Sequence, residues 1–392
     1  MNDSLHYAAT GARPAVRALM ASQIREVANA GLGQAGILPF WFGEPDEVTP
    51  AFICEAAARS LAQGETFYSQ NFGIPELREA IAAYVTRLHR PTSAEHIAVT
   101  ASGMSALMLT VEALVAPGDR VVVVTPLWPN LVEIPKILSA NVTCVPLQFT
   151  SAGWTLDVER LLAALKPETR VVMINSPNNP TGWTIDRASQ QAVIAHCRAR
   201  GIWIVADDVY ERLVYDGGAC APSFLDLAAP EDRVISTNSF SKSWLMTGWR
   251  LGWIVAPEAL MPDLGKLIEY NTSCSPVFVQ RAGVAAITDG EATIGRTLAR
   301  YSAARDFLVG ALARLPRIEV APPAGAMYAF FRVAGVGDSL EFCKRLVREA
   351  RLGLAPGSAF GPEGEGFVRW CFASSQSRLV DGVGRLEAFL RR

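Results

Sequence analysis

The runs VVVV (121–124), VVMI (171–174) and IWIVA (202–206) are apolar at every position. A strand with one face in water alternates apolar and polar side chains. One that is apolar throughout must be covered on both faces. Between these runs lie segments with helical spacing: MSALMLTVEALV (104–115), DVERLLAALKP (157–167) and DRASQQAVIAHCRARG (186–201). HIAVTAS (96–102), VTCVPLQF (142–149), RVISTNSF (233–240) and RLGWIVAP (250–257) read as further strands. Strands and helices in alternation give an α/β fold, with a mostly parallel central sheet covered by helices.

The flanks read differently. The segment VRALMASQIREVANAG (16–31) is expected as one helix of an N-terminal arm. TPAFICEAAARSLAQG (49–64) is expected as a helix with Thr49 as its N-cap, Pro50 in the first turn and Gly64 as its stop. PELREAIAAYVTRL (75–88) is another helix. Beyond 290 a long helix (291–314) precedes AMYAFFRV, a helix near 339–351, GFVRWCFA and a last helix to Leu390. This pattern is a smaller α+β domain. The expected division is a large domain over 46–289, with 1–45 plus 290–392 forming the small domain and its arm.

Half of the residues are hydrophobic, so the chain can bury large cores and an ordered fold is expected. The net charge of −2 offers no basic surplus for nucleic acid or an anionic membrane, so neither partner is expected. Seven cysteines form no CxxC pair, and four histidines show no metal-ligand spacing, so no metal is expected. Scattered thiols suit a reducing cytoplasm. No signal-peptide pattern and no membrane-spanning apolar run is seen in the sequence.

Polar residues gather where the apolar runs give out. NSPNNPTG follows VVMI, DDVY follows IWIVA, NSFSK follows VIST, and ASGMS follows HIAVT. Ligands of such sheets bind beyond the carboxyl ends of strands, so one pocket can collect all four. Lys242 is one of five lysines, and it alone follows a strand among Ser, Asn and Thr. A lysine in a partly buried site loses its proton readily and attacks carbonyls. Taken alone, a solvated surface lysine is the commoner reading. Asp207 ends an apolar run and therefore needs a cation or hydrogen bonds; a turn or capping role is the plain alternative. SGMSAL opens a helix where backbone N–H groups and Ser105 favour an anion. Ser239, Ser241 and Arg250 add hydroxyls and a guanidinium suited to phosphate. Trp128, in TPLWPN, either stacks on a ring or fills a core.

Taken together these residues resemble the class I/II aminotransferases that carry pyridoxal phosphate on a fold type I scaffold, in particular the aspartate-aminotransferase-like group. The resemblance runs from FGEPD (42–46) to FVRWCFAS (367–374), through NSPNNPTG, DDVYE and SKSWLMTGWRLGW in that order. It implies that Lys242 forms an aldimine with pyridoxal 5′-phosphate and then shuttles a proton between the substrate Cα and the cofactor. It implies that Asp207 holds the pyridinium nitrogen, that Tyr210 and Asn179 bond the ring hydroxyl, and that Trp128 stacks on the ring. Gly103, Met104, Ser239 and Arg250, with Ser105 as a lesser candidate, would hold the phosphate. Arg369 would clamp the substrate carboxylate, with Gly43 and Asn179 beside it. Tyr68 would reach the phosphate of a neighbouring subunit, which makes the active unit a homodimer with shared sites.

The implied reaction is ping-pong transfer of an amino group from an L-amino acid to a 2-oxo acid. Some aspartate-using members carry a lysine where this chain has Met104, so the expected donor is neutral or aromatic. A C–S β-lyase on the same scaffold is the alternative reading. A regulator with a domain of this kind needs a DNA-binding domain ahead of it, and FGEPD already starts at Phe42.

Overall fold

A computed structural model describes residues 11–392; the first ten residues of the expected arm lie outside the described residues. Seven strands form the large sheet: β1 (Ile97–Thr100), β2 (Arg120–Thr125), β3 (Asn141–Pro146), β4 (Thr169–Asn175), β5 (Trp203–Asp207), β6 (Val234–Ser239) and β7 (Gly252–Val255). Their order is β1-β7-β6-β5-β4-β2-β3. All neighbours are parallel except β7, which runs antiparallel to both β1 and β6.

The all-apolar runs do what their composition demands. Val122, Val124, Val172 and Ile174 pack into one core on one face of the sheet. Their alternates Val121, Val123, Val171 and Met173 pack into a separate core on the other. Each of these side chains is almost wholly buried, worth about 1.5–3 kcal/mol apiece relative to exposure.

Register then decides where the polar residues go. Asn175, Asp207 and Thr237 lie level across β4, β5 and β6. Ser239 faces Gly252 on β7, which in turn faces Thr100 at the end of β1. The ends of four separate strands thus meet at one edge. Gly252 is required there, because a Cβ would meet the Gly103 nitrogen at 2.5 Å and the Asn238 carbonyl at 2.7 Å.

A second, antiparallel sheet contains β8 (Ile318–Glu319), β9 (Tyr328–Val333), β10 (Ala355–Pro356) and β11 (Phe367–Cys371), in the order β8-β9-β11-β10. It has its own core, built around Phe331, Val368, Trp370 and Leu346. The helices Glu291–Leu312, Ser339–Ala350 and Gln376–Leu390 match the expected positions.

Two N-terminal expectations are corrected. The segment 16–31 is not one helix. A single turn at Pro14–Arg17 ends, and Gln23–Gly31 starts afresh where the Ser22 hydroxyl accepts the Arg25 N–H at 3.3 Å. Nor does Thr49 cap its helix, which spans Ala51–Ala62 after Pro50. Its hydroxyl donates to the Leu245 carbonyl at 2.7 Å and accepts the Trp249 indole at 2.9 Å. Thr49 therefore ties the FGEPD segment to the loop beyond Lys242.

Candidate active site

The aligned strand ends border a cavity of about 430 Å³. Asp207, the last residue of β5, faces it while only 5% exposed. The Val209 N–H reaches its Oδ1 at a long 3.4 Å, and no cationic side chain pairs with it among the described residues. Burial, and next the charge of Asp208, push its carboxyl up to about 7. An uncompensated buried carboxylate is expensive, so this position calls for a cationic ligand.

Lys242 follows β6 in a turn and points into the same cavity, where its Nζ donates to the Gly43 carbonyl. Burial lowers its ammonium to about 8. Near neutral pH a usable fraction is therefore the free amine, the form that attacks carbonyls and accepts protons.

The floor of the cavity suits an anion. Helix Gly103–Leu114 begins directly beyond β1, and its first N–H groups have no partner within the helix. Ser102 caps it through an Oγ that accepts the Ser105 N–H at 3.0 Å. Gly103 packs tightly here: a Cβ would lie 3.0 Å from that of Ser239. The Ser239 and Ser241 hydroxyls are 2.8 Å apart. Arg250 adopts a left-handed backbone (φ 55°), which is uncommon for a residue with a Cβ and places its guanidinium on the cavity wall.

On the opposite side stands Arg369, in the middle of β11 and 2% exposed. Its Nη1 donates to Asn179 Oδ1 at 2.9 Å and its Nη2 to the Trp41 carbonyl. Its guanidinium lies 4.5 Å from the Tyr328 ring centre and 4.8 Å from that of Phe360. No carboxylate meets it among the described residues, so its fork is left for an anionic ligand. Tyr210 shares a 2.7 Å hydrogen bond with Tyr328. Burial, then Tyr328, raise the Tyr210 phenol well above its ordinary range.

Every residue singled out from sequence lines this cavity except two. Ser105 stands behind the wall, its N–H taken by the helix cap and its hydroxyl 3.2 Å from that of Ser102. Tyr68 lies outside and is 90% exposed. Sequence reading missed Asn175, whose Oδ1 accepts the Asn179 N–H at 2.8 Å and whose Nδ2 donates to the Asp207 carbonyl at 3.0 Å. Its signal was its place as the first residue of NSPNNPTG. It also missed Tyr328 and Arg25, one in an apolar strand pattern and one in a helical one; neither pattern marks a site.

The family described as aminotransferase class I and II matches residues 37–386. The chain belongs to this family. The aspartate aminotransferase of Pyrococcus horikoshii is 35% identical, over 94% of each chain. The aromatic-amino-acid aminotransferase 2 of Thermococcus litoralis is 32% identical, over 94% of this chain and 96% of that one. The solved aspartate aminotransferase of Thermotoga maritima superposes with a TM-score of 0.90 at 33% identity, covering 97% of this chain and all of that one. The protein is thus a transaminase of fold type I, and its cofactor is pyridoxal phosphate. The donor set of the cavity fits that group. It offers a low-pKa amine, a carboxylate without a cation, and a helix start beside hydroxyls and a guanidinium.

Proposed function

We propose that this transaminase moves the amino group of a neutral or aromatic L-amino acid to a 2-oxo acid in two half-reactions at Lys242. The observation that carries the reading is convergence: Lys242, Asp207 and the unpaired Arg369 line one cavity. Bound pyridoxal phosphate supplies an aldehyde for amines and an electron sink for the bond at Cα. With that group bound, Lys242 would be the amine that holds its aldehyde and the base that carries the proton at Cα. Asp207 supplies the negative charge that keeps the ring nitrogen protonated. Asn179 and Tyr210 are the hydrogen-bond donors for the ring hydroxyl, with Trp128 against the ring. Gly103 and Met104 through their backbone, with Ser239 and Arg250, hold the phosphate. Arg369 grips the substrate carboxylate, beside Gly43 and Asn179.

The donor preference is supported by the wall around Met104, Leu107, Ile24 and Phe42, which offers apolar contact. Arg25 stands exposed at the mouth, 5.5 Å from the Phe42 ring centre. Following the loss of the bound cofactor's absorbance with a panel of aromatic, aliphatic and acidic amino acids tests this. Neutral or aromatic donors should react fastest, and initial rates at several fixed oxo-acid concentrations should give parallel double-reciprocal lines. Faster reaction with acidic donors overturns the preference and points to Arg25.

Arg369→Ala should retain cofactor, because the phosphate has other ligands. It should cut kcat/KM for amino acids by roughly 2–5 kcal/mol, the range for losing one partner of a buried charge pair. Lysine at 369 should recover only part, having charge without the fork. Unchanged kcat/KM in the alanine variant would place the substrate carboxylate elsewhere.

The active unit in this reading is a homodimer in which Tyr68 completes the partner's phosphate site. Phe67, Tyr68 and Tyr270, each more than 80% exposed, support it as apolar surface in want of cover. The large domain is placed at 46–289 and the small one at 1–45 plus 290–392. A cytoplasmic location is supported by seven free thiols. No helix among the described residues is long and apolar enough to cross a membrane.

A further inference from the structure

The turn that carries Asp207 and Tyr210 has a second side. Val209 and Tyr210 face the cavity with Asp207, while Asp208 and Glu211 point away from it, and both are 4% exposed. Asp208 Oδ2 accepts the Ser236 hydroxyl at 2.6 Å and the Ser223 hydroxyl at 3.1 Å. Glu211 Oε1 accepts the Tyr84 hydroxyl at 2.8 Å and the Asn238 amide at 2.7 Å. His89, whose side chain is 1% exposed, closes the cluster. Its Nε2 lies 2.9 Å from Glu211 Oε2, and its Nδ1 lies 2.8 Å from Asp226 Oδ1.

That geometry fixes the charge of His89. An ionised carboxylate has lone pairs and no hydrogen to give, so a ring held at both nitrogens by carboxylate oxygens must carry both protons. Burial by itself would lower its pKa, but the hydrogen bonds to Asp226 and Glu211 prevail and hold it at about 10.

The charges around the turn are then set. Asp207, Asp208, Glu211 and Asp226 are four acids on two neighbouring turns. Arg187, from helix Arg187–Arg200, pairs with Asp226 at 2.9 Å and is half exposed. Arg212 is spent on Glu291. Tyr84 on helix Pro75–Leu88 and Cys220 are neutral neighbours. Lys242 faces Asp207 from the cavity side. Asp208 has hydroxyl donors and no cation in contact; burial, and next Glu211, push it up to about 7. His89 is therefore the buried cation in direct contact with the acids on the far side of the turn, while the buried Arg212 lies over Tyr84 and pairs with Glu291.

We infer that His89 is a positioning residue of the cofactor site: acting through Glu211 and Asp208, its positive charge lets Asp207 remain ionised and anchors the turn that presents Tyr210. The inference rests on the reading of Asp207 as the anionic partner of the cofactor ring. Without the imidazolium, three acids would stand behind Asp207, offset only by the half-exposed Arg187 and by Arg212, whose charge is shared with Glu291. Asp207 would then take a proton at higher pH and fail as a counter-ion.

The test compares pH profiles of holoenzyme turnover. In His89→Gln the acid limb of kcat should move to higher pH by roughly a unit or more, the size of a nearby charge effect. Turnover should fall on the order of tenfold at pH values below the parent's limb and recover as pH rises, with KM little changed. His89→Gln/Glu211→Gln removes one positive and one negative charge together. The new amide at position 211 can donate to the one at position 89, and that one to Asp226, so the bonds persist. The double variant should bring the limb back. Asp226→Asn, which removes an anion and leaves His89 in place, should move the limb to lower pH and gives an answer even if His89→Gln does not fold.

A loss equal at all pH, or a double variant no better than the single one, would mean that His89 is merely structural. An acid limb unmoved in His89→Gln overturns the inference, as does one unmoved in Asp226→Asn. Asp207→Asn separates the two levels. If it loses turnover while the His89 and Asp226 variants leave the limb in place, only this inference falls. If it keeps normal turnover, the reading of Asp207 falls and takes this inference with it.

Discussion

Lys242→Ala should abolish steady-state transamination while leaving a folded protein that still binds pyridoxal phosphate. The amine of Lys242 sits in the cavity with a pKa lowered to about 8 by burial. No other lysine lines that cavity, and no histidine does either. In the proposed reading, deletion removes both the group that binds the aldehyde and the carrier of the Cα proton, and no other lysine or histidine among the described residues lines the cavity to replace it. Loss of a positioned acid–base group alone costs roughly 10²–10⁴-fold. Cofactor binding should survive, because Gly103, Ser239 and Arg250, the proposed phosphate ligands, are untouched. A single-turnover measurement with the purified variant checks this. Conversion at a rate within tenfold of the parent would remove Lys242 from the chemistry.

Asp207→Asn should have the next largest effect. The substitution keeps shape and the weak contact to the Val209 N–H and removes only the charge. A neutral group cannot hold a proton on the ring nitrogen, and the electron sink weakens accordingly. The cost should be on the order of 3 kcal/mol, about a hundredfold in kcat, typical for removing one preorganised electrostatic partner. The pH dependence carries a sign. With protein groups alone around it, Asp207 sits at about 7, and a cation at the cavity face favours its ionised form and draws that value down. The parent should lose activity as pH falls through the value in the loaded site. The asparagine variant should be low at every pH, with no acid limb from this group.

Much of this site was legible in the sequence because the sheet makes it so. Apolar runs with no alternation can only be buried strands, and β2, β4 and β5 fall where VVVV, VVMI and IWIVA stand. Once those strands are parallel and in register, residues that follow them in sequence become neighbours in space. That is why Asn179, Asp207 and Lys242, far apart in the chain, line one cavity.

What escaped is of two kinds. Local hydrogen bonding overrode periodicity at Ser22, which restarts a helix, and at Thr49, which bonds across nearly 200 residues instead of capping. The helix Asn130–Ile137 is hidden in the sequence by its interior Pro135, and Met261–Asn271 and Val277–Asp289 lie outside the expected elements. The second kind is tertiary partnership. Nothing in AMYAFFRV says that Tyr328 will meet Tyr210. Nothing in RLHRPT says that His89 will sit between Glu211 and Asp226, more than 120 residues away. Side chains that act on the far face of a motif leave no local mark, since their spacing matches that of any core residue.

The central claim is that one lysine, at the end of β6, carries the cofactor. Reduction of the holoenzyme with borohydride, followed by proteolysis and mass mapping, tests it most directly. The account predicts one modified peptide, spanning SFSKSWLMTGWR, with the cofactor's mass on Lys242. Adduct on Lys136, Lys166, Lys266 or Lys344, or no adduct from protein that has cofactor bound, would contradict it.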